Sequence, residues 1–515
     1  MAETREYQRR WWTLGVLCLS LVMIVVANTS LNVALPTLVK DLHARTSALQ
    51  WIVDAYSLVF AGLLLTAGSL GDRYGRKHAL NVGLIIFGAA SGIAAYSGSA
   101  GALIAARAAM GVGAALVMPA TLSVLAHVFP PHERARAIGI WAGFAGVGAA
   151  TGSIISGWLL EHFWWGSIFL TNVGVVVVAL IAGIFLVPQS KDDRRAALDP
   201  LGALLSMAGL GTLIYAIIEA PNKGWASAST MLTFLLAAAI LSAFVAWELR
   251  ASEPMLDLRF FRNPRFTAAT STITLVFFVM FGMIFLLTQY LQLVLGFSPL
   301  QAGLRIVPWA VVYMTVAPMS ARFVERWGQR RVVSAGFAIV AVGLALLALS
   351  GPHSNYGLLV LAFAVSATGM GLTTAPSTGA IMVSVPLDKA GVGSAVNDTT
   401  RELGGALGVA VLGSVLASRF HSGIAHQLAQ LPPATAQAAR GSLGAALQTS
   451  ATLPHPAGTA LATAAKHSYA HAFDATMILG VGIALLASGL VSWLLRPARA
   501  TVEEEARVRL EAEAA

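Results

Sequence analysis

The sequence predicts an all-α integral membrane protein with 14 transmembrane helices, and three observations lead to this prediction. Of its 515 residues, 57% are hydrophobic and only 11% are charged, whereas soluble domains usually carry about 25% charged residues. The chain contains 14 apolar stretches close to the roughly 20 residues that a helix needs to cross a bilayer. Its basic residues lie mainly in alternate loops between those stretches. A soluble enzyme, a nucleic-acid-binding protein and a disulfide scaffold are therefore excluded.

The first hydrophobic run begins at Trp11 and is too long for the apolar core of a signal peptide. It contains Cys18, the only cysteine, so no intramolecular disulfide is expected. In chain order, the predicted spans are 12–38, 49–70, 78–97, 101–129, 138–160, 166–188, 200–219, 229–247, 266–294, 300–321, 332–350, 356–385, 391–417 and 473–495.

The basic residues predict the orientation of these spans. The two termini and the 2/3, 4/5, 6/7, 8/9, 10/11 and 12/13 loops together hold 24 of the 33 Lys and Arg residues, while the opposite side holds 6 and the spans hold 3. Because basic loops stay in the cytoplasm, both termini are predicted to be cytoplasmic. The net charge of +9 therefore indicates topology and does not indicate nucleic-acid binding.

The order of the spans predicts two six-helix bundles, at 1–190 and 263–498, with two extra transmembrane helices inserted at 191–262 and a cytoplasmic tail at 499–515. The second bundle includes an extracytoplasmic loop at 419–472. Its alanine content permits short amphipathic helices around 434–448 and 457–466. Two interpretations of this loop stay open: a solvated cap or tether, and a lid that occludes the outer mouth of the protein.

Six charged residues fall inside the predicted spans. A charge at this depth costs at least a few kcal/mol and marks a functional site by default. The six charges cancel formally, so pairing for structure alone is the alternative. They are Asp54, Arg107, Arg305, Asp398, Arg401 and Glu402.

The depth of each residue below the membrane surface follows from its distance from the end of its span, at a rise of 1.5 Å per residue. Asp54 and Arg107 each lie roughly 8–9 Å below the outer surface, so they are able to pair. Asp398 and Glu402 lie roughly 10 Å and 16 Å from the cytoplasmic side and share one helix face, since they are four residues apart. Pairing with Arg401 is the structural alternative for these two acids.

Buried acids at these positions predict proton coupling. A carboxyl group in an apolar cavity loses the hydration that favours its charged form, so it can exchange protons near neutral pH. If a cationic ligand competes with the proton for the same carboxylate, each weakens the binding of the other. We therefore predict that Asp54, Asp398 and Glu402 carry protons or cations and that Arg107 tunes Asp54, whereas Arg305, near the outer end of its span, snorkels to the interface.

The 2/3 loop predicts a gate latch on the cytoplasmic side. Glycines allow a tight turn and close helix approach, and an acid at this helix end can accept hydrogen bonds from arginines. The 10/11 loop, 322–331, repeats the order of acid, arginine, glycine and basic pair, as expected where two bundles rock about a site at the membrane midplane. The predicted gating residues of the 2/3 loop are Gly68, Asp72, Arg73, Gly75 and Arg76.

The stretch Gly68–Lys77 resembles the signature loop of the major facilitator superfamily. The 14 spans, with two helices inserted between two six-helix halves, resemble its drug/proton antiporter branch, and the resemblance covers essentially the whole chain. Further similar stretches are Asn32–Pro36, Trp51–Tyr56 and 393–408. In span 5, Gly148, Gly152 and Gly157 resemble the antiporter motif, in which small residues keep the helix pliable and closely packed, and these three complete the predicted gating set.

Three positions depart from the family pattern. Relatives often have an acid where this chain has Ala27, which weakens any coupling role for span 1. Ser153 stands where the antiporter motif usually has proline, and Met110 stands where the motif of span 4 usually has glutamine.

The resemblance implies that spans 1, 2, 4, 5, 9, 10, 12 and 13 line a substrate cavity. Aromatic and methionine side chains there suit flat, lipophilic cations, although most aromatic residues in a membrane bundle pack or face lipid. The predicted substrate-binding residues are Asn32, Tyr56, Trp141, Phe144, Phe278, Phe281, Met283, Tyr290, Trp309, Tyr313 and Met314.

These features predict a multi-pass exporter in a bacterial inner membrane that exchanges inward-moving protons for outward-moving amphipathic compounds, above all cations, by alternating access. A monomer is expected, with lipid, protons and small amphipathic substrates as partners and no nucleic acid, metal or cofactor beyond the proton gradient. One alternative is an exporter of an endogenous lipid or secondary metabolite. Another, from a different class, is a membrane-embedded enzyme or a sensor without transport, but no nucleotide loop, metal pair or nucleophile constellation occurs in the sequence.

Overall fold

A computed structural model of the chain describes residues 8–190, 199–251, 254, 256, 258–351, 354–385 and 390–495. Fourteen helices among these residues are long and apolar enough to cross a membrane, which confirms the predicted number. Helices are the expected solution, because in a bilayer every backbone polar group must find its partner inside the protein. The predicted tail at 499–515 lies outside the described residues.

The first six helices form the first bundle. Within it, α2 packs on α4, α3 packs on α4 and α6, and α1 packs on α5 and α6. Its helices are α1 (Arg10–Leu42), α2 (Thr46–Tyr74), α3 (Arg76–Ala95), α4 (Ala100–Val128), α5 (Pro131–His162) and α6 (Ser167–Leu186).

The next two helices, α7 (Pro200–Lys223) and α8 (Ala228–Glu248), are the inserted pair. They pack on each other, and α7 also packs on α2 of the first bundle and on α13 of the second. A short 3-10 helix, Leu258–Arg262, leads into the second bundle.

The second bundle contains six membrane helices and two short helices outside them. It consists of α9 (Pro264–Gln289), a π-helical turn (Tyr290–Val294), α10 (Pro299–Trp327), α11 (Gln329–Leu347), α12 (Tyr356–Ser384), α13 (Ala390–Leu428), α14 (Pro433–Arg440), α15 (Leu443–Thr452) and α16 (Ala457–Leu494).

Local sequence sets several helix starts, because the first backbone N–H groups of a helix need acceptors. The Ser99 side chain accepts from the Ala102 amide at the start of α4. At the start of α10, Ser298 and Gln301 form a capping box. The Asp199 carboxylate accepts from the Gly202 amide at the start of α7.

The outer loop differs from its prediction. Helix α13 continues to Leu428 and α16 begins at Ala457, so the loop is much shorter than 419–472. The first predicted short helix, 434–448, is present as α14 and α15. The second, 457–466, is the first part of α16 and not a separate helix. Hydropathy detects only the part of a helix that lies in lipid, and both α13 and α16 extend beyond it.

Candidate functional site

The two bundles meet along α2 and α13, and we call this contact the α2–α13 seam. Near the end of α2 that is predicted to face outward, the Gln50 amide donates to the carbonyl oxygens of Val409 and Ala410, at 3.1 Å and 2.9 Å. Seven residues further along α2, the Ser57 hydroxyl donates to Oε2 of Glu402 at 2.9 Å. Residues further along α2 contact residues earlier in α13, so the two helices run antiparallel.

Asp54 lies between these two contacts on the same face of α2. It follows Gln50 by four residues and precedes Ser57 by three, which is the spacing of one helix face. Its side chain is fully buried, and neither carboxylate oxygen has a hydrogen-bond partner. Burial of a carboxyl group without a hydrogen-bond partner destabilises a protein. The stability of the fold therefore does not explain the presence of Asp54.

Glu402 is the second acid of the seam. It is 8% exposed, and its hydrogen bond from Ser57 joins the first bundle to the second. The structure therefore places Asp54 and Glu402, which lie about 350 residues apart in sequence, on facing helices of one interface. Sequence depth alone did not predict that they share this interface.

The predicted pairing of Arg107 with Asp54 is wrong in this structure. The Arg107 guanidinium donates instead to the Ile52 carbonyl and to Oδ1 of Asn28, both at 3.1 Å, and it lies 4.3 Å from the centre of the Tyr56 ring. Ile52 and Tyr56 occupy one face of α2, and Asp54 is about 200° around the helix from each of them. Equal depth was therefore insufficient for pairing.

Arg107 nevertheless has an acid nearby. It interacts electrostatically with Glu402 and with Tyr56. One of its terminal nitrogens has no hydrogen-bond partner although the side chain is fully buried. Arg107 therefore lies within electrostatic range of the acid of α13, although no hydrogen bond or ion pair joins these two described side chains.

Asp398 has partners of its own. It lies 3.6 Å from Arg401 and accepts from the Asn397 amide at 3.3 Å, and Asn397 accepts from Thr378 of α12. The structural alternative of pairing with Arg401 thus holds for Asp398. The Arg401 guanidinium also lies over the ring of Phe277, 4.8 Å from its centre.

Arg305 lies apart from these groups. Its guanidinium stacks over Phe297, 3.9 Å from the ring centre, and lies 5.2 Å from the ring centre of Tyr356. It also donates to the carbonyl of Gln301 in its own helix. Without Arg305, the charged residues of the predicted spans comprise three acids and two bases, of which Asp54, Glu402 and Arg107 are buried and Asp398 and Arg401 are partly exposed.

Helix α7 covers the α2–α13 seam from the side. Met207 of α7 packs against Gly62 of α2, and the rings of Tyr215 and Trp51 lie 6.4 Å apart. Because α7 contacts both α2 and α13, the inserted pair separates Asp54 and Glu402 from lipid. The apolar cluster between α7 and α13 consists of Ile214, Ile217, Ile218, Ala406 and Ala410.

Three of the predicted substrate-binding residues are packed in the interior. Tyr56 is fully buried beneath Arg107, and Met283 is 2% exposed. Tyr290 stacks on Phe473 with ring centres 4.9 Å apart, and its hydroxyl donates to the Gly351 carbonyl at 2.6 Å. All three side chains are therefore packed inside the protein in this conformation, although the buried Tyr56 hydroxyl has no hydrogen-bond partner.

Other predicted residues lie near the contact between α5 and α10. Trp309 stacks on Tyr313 with ring centres 5.5 Å apart, and Tyr313 bonds to Thr374 of α12 at 3.0 Å. Met314 lies against Gly146 of α5. Phe144 is 41% exposed and shares its helix face with the exposed Ile155 and Trp158, so this face of α5 suits lipid better than a cavity.

The remaining predicted residues line or approach the bundle interior. The ring of Phe281 packs against Gly405 of α13, and Phe278 and Trp141 are half-buried against the apolar core. The Asn32 side chain donates to the Asn28 carbonyl one turn earlier, at 3.0 Å. Their substrate-binding roles stay predictions.

The 2/3 loop forms the tight turn that its glycines predict. Only Gly75 separates α2 from α3, and its φ of 111° is a conformation that favours glycine. The Arg76 amide donates to the Ser190 carbonyl at 2.9 Å, and the Arg73 guanidinium lies over Tyr74. Gly68 lies against Pro119 of α4. The Asp72 side chain lies outside the described part of the chain, so the latch stays a prediction.

The glycines of α5 lie at close contacts on both sides of that helix. Gly148 and Gly152 lie against α1, where a Cβ at Gly148 would come within 3.2 Å of Val25. Gly157 lies against α10, where a Cβ would come within 2.6 Å of the Leu300 backbone. Larger side chains at these positions would separate the helices, so α5 joins the two bundles through its small residues.

The outer loop reaches from the second bundle to the first, and we call 433–452 the outer strap. The carbonyl of Gly441 accepts hydrogen bonds from the amide and the hydroxyl of Thr46, both at 3.2 Å. Gly441 also lies against the Arg45 side chain, and Gly444 lies against Val39. The strap therefore holds the outer ends of α1 and α2.

Three polar residues of the bundle contact were missed by sequence reasoning: Gln50, Ser57 and Gln292. Gln292, in the π-helical turn, donates to the Val33 carbonyl of α1 at 2.8 Å. π-helical turns are rare and often functional. An uncharged polar residue in an apolar span predicts a contact between helices, because its side chain needs a hydrogen-bond partner from another helix.

A model of the Major Facilitator Superfamily matches residues 17–409. The chain belongs to this superfamily. Its 14 membrane helices, with two inserted between two bundles, agree with the predicted resemblance, and a superfamily member of this architecture is a transporter.

Relatives from bacteria are named as efflux and resistance proteins. The chain is 35% identical to the multidrug efflux pump LfrA of Mycolicibacterium smegmatis, covering 96% of this chain and 98% of the relative. It is 36% identical to the methyl viologen resistance protein SmvA of Salmonella typhimurium, covering 90% and 93%. It is 34% identical to the tetracenomycin C resistance and export protein of Streptomyces glaucescens, covering 80% and 77%. These relatives confirm the resemblance to the drug-efflux branch.

The fold is also similar to a solved transporter structure. A bacterial homologue of the human lysosomal transporter Spinster, in an inward-facing and unoccupied conformation, matches with a TM-score of 0.68 at 17% identity, covering 95% of this chain and 99% of that one. At this identity the similarity supports the fold alone.

Proposed function

We propose that the protein is a proton-coupled efflux transporter of a bacterial inner membrane that exports amphipathic compounds, above all cations, by alternating access. The proposal rests on the α2–α13 seam, which is a contact between the two bundles. There, Asp54 of α2 and Glu402 of α13 place two buried carboxyl groups in one interface. A rocking motion of the bundles changes the surroundings of both acids at once.

The proposed exchange follows from competition at these acids. Ionised carboxylates attract a cationic substrate while the seam is open to the cytoplasm. Protonation from the outer side weakens that attraction, so the substrate leaves outward and the proton moves inward. The excess of one acid over the bases near the seam favours a cationic substrate, and the multidrug and methyl viologen names of relatives agree with it.

An endogenous secondary metabolite is the second candidate substrate. A relative is named for the export of tetracenomycin C, which supports a natural product as cargo. Uptake of ethidium into vesicles, compared with a lipid-flipping assay on the same preparation, separates a drug cation from a lipid cargo.

Proton release on substrate addition tests the coupling. In weakly buffered detergent, addition of ethidium to purified protein is expected to release protons at some pH between about 5 and 8, because the substrate displaces them from the acids. D54N and E402Q are expected to reduce the release, while D41N, at an exposed position of α1, leaves it unchanged. Absence of release across this pH range in the wild-type protein would refute coupling.

A further inference from the structure

An apolar cavity lies in the second bundle, away from the α2–α13 seam. It has a volume of about 500 Å³ and opens between α10, α11 and α12. Its walls include Met319, Phe323 and Trp327 of α10, Ile339 of α11 and Leu372 of α12. Phe323 and Trp327 stack with ring centres 5.3 Å apart. The transport site described above uses none of these residues.

The depth of the cavity matches one leaflet of a bilayer. Its α10 wall runs from Trp327, at the predicted cytoplasmic end of the helix, to Val316. Eleven residues of helix span roughly 16 Å, and half of the hydrocarbon core is about 15 Å. Tryptophan is typical of the membrane–water interface. The cavity therefore begins at the level of the lipid headgroups and ends near the membrane middle.

The helix turn at the predicted cytoplasmic end of the cavity is rich in arginine. Four arginines lie around the α10–α11 turn, and Arg331 is the only charged residue of the cavity wall. Glu325 is the only acid from 299 to 345, and no ion pair of these arginines occurs within the described ranges. The four are Arg322, Arg326, Arg330 and Arg331.

The start of α11 adds further positive potential at the same place. The helix begins after Gly328, whose φ is 79°, with no side-chain cap and no acid in its first turn. Its first backbone N–H groups are therefore oriented as donors for an anion. The side chains of Arg330 and Arg331 extend from this same first turn.

We propose that this cavity binds an anionic phospholipid of the cytoplasmic leaflet, with one acyl chain between α10, α11 and α12 and the phosphate at Arg330, Arg331 and the start of α11. Basic sites between membrane helices on the cytoplasmic side are suited to anionic headgroups. The same arginines repel a cationic amphiphile, so the proposed transport substrate is not the occupant. Binding of the lipid does not depend on proton coupling, and its test does not measure transport.

Quenching of Trp327 fluorescence by brominated lipids tests the proposal. The full-length protein is reconstituted with phosphatidylglycerol or phosphatidylcholine that carries bromine on its acyl chains. The signal of Trp327 is the difference between the wild-type protein and W327F, because the chain has 12 tryptophans. Brominated phosphatidylglycerol is expected to quench Trp327 at a mole fraction about three- to tenfold lower than brominated phosphatidylcholine, and less selectively at high salt.

Variants separate the headgroup site from the acyl-chain site. R330Q/R331Q is expected to abolish the preference for phosphatidylglycerol while quenching by both lipids persists. A335F, which fills the cavity from α11, is expected to reduce quenching by both. R265Q, an exposed arginine at the start of α9, is the matched control and should retain the preference. Equal quenching by both lipids in the wild-type protein, or displacement of the lipid by ethidium, would overturn the proposal.

Discussion

At the scale of single residues, Asp54 and Asp398 are both acids inside membrane helices, but they have opposite surroundings. Asp54 is fully buried without a partner. Asp398 lies beside Arg401 and accepts from Asn397. Burial of an unpaired polar group costs about 1–3 kcal/mol. The stability of the protein therefore explains the presence of Asp398 but not that of Asp54.

This contrast leads to a prediction for a matched pair of variants. D54V should raise the thermal unfolding midpoint of the purified protein, because it removes the unpaired carboxyl group, and should abolish efflux. D398V should lower the midpoint, because it removes the ion-pair partner of Arg401. Thermal unfolding in detergent and ethidium efflux from cells measure the two effects. A fall in the midpoint of D54V as large as that of D398V would show that Asp54 is structural.

Arg107 joins three helices through a single side chain. It donates from α4 to Ile52 of α2 and to Asn28 of α1, and it covers the Tyr56 ring. R107A should destabilise the protein by about 3 kcal/mol or more. R107K should retain part of this stability, because lysine keeps the charge but lacks the planar fork of donors. Equal thermal midpoints for R107A, R107K and the wild-type protein would contradict this role.

At the scale of elements, the outer strap is the contact that the proposed alternating access would have to break. It belongs to the second bundle but bonds to Thr46 of the first. A strap that stays bound keeps the outer ends of the bundles together. Of the two interpretations that the sequence left open, these contacts favour the lid over the free tether.

A disulfide across the strap tests this interpretation. The Cβ of Arg45 lies 3.9 Å from the position of a Cβ at Gly441, within the range for disulfides. In a C18A background, oxidised R45C/G441C should lose most of its efflux, because the bundles can no longer separate at this end, and should recover it on reduction.

The matched control is G423C/S468C, which joins α13 to α16 within the second bundle; its Cβ separation of 3.2 Å needs a shift of a few tenths of an ångström to reach the disulfide range. Oxidation of this control should leave efflux unchanged. Normal efflux by fully cross-linked R45C/G441C would show that the strap does not move during transport.

The elements also show what sequence reasoning predicts well. Hydropathy located all 14 membrane helices, because each must satisfy its own backbone in lipid. It misplaced the outer ends of α13 and α16, because those turns lie beyond the lipid and carry no apolar signal. It found Asp54, Glu402 and Arg107 as buried charges but paired Arg107 with Asp54 incorrectly, because depth gives no information about which face of a helix meets which neighbour.

At the scale of the whole molecule, the distribution of Lys and Arg predicts which side is cytoplasmic. Two exposed positions at opposite predicted sides test it in a C18A background. Q430C, next to the outer strap, should react with a membrane-impermeant maleimide in intact cells. R322C, at the end of α10, should react only after permeabilisation. The reverse pattern would invert the topology and, with it, the proposed direction of export.

For the molecule as a whole, we propose above all that substrate and protons exchange through the α2–α13 seam. The most direct measurement follows ethidium and pH together in proteoliposomes with no imposed ion gradient. We predict that ethidium moving down its gradient drives protons in the opposite direction, and that D54N and E402Q lose both fluxes together. Ethidium movement by the wild-type protein without any movement of protons would contradict the claim.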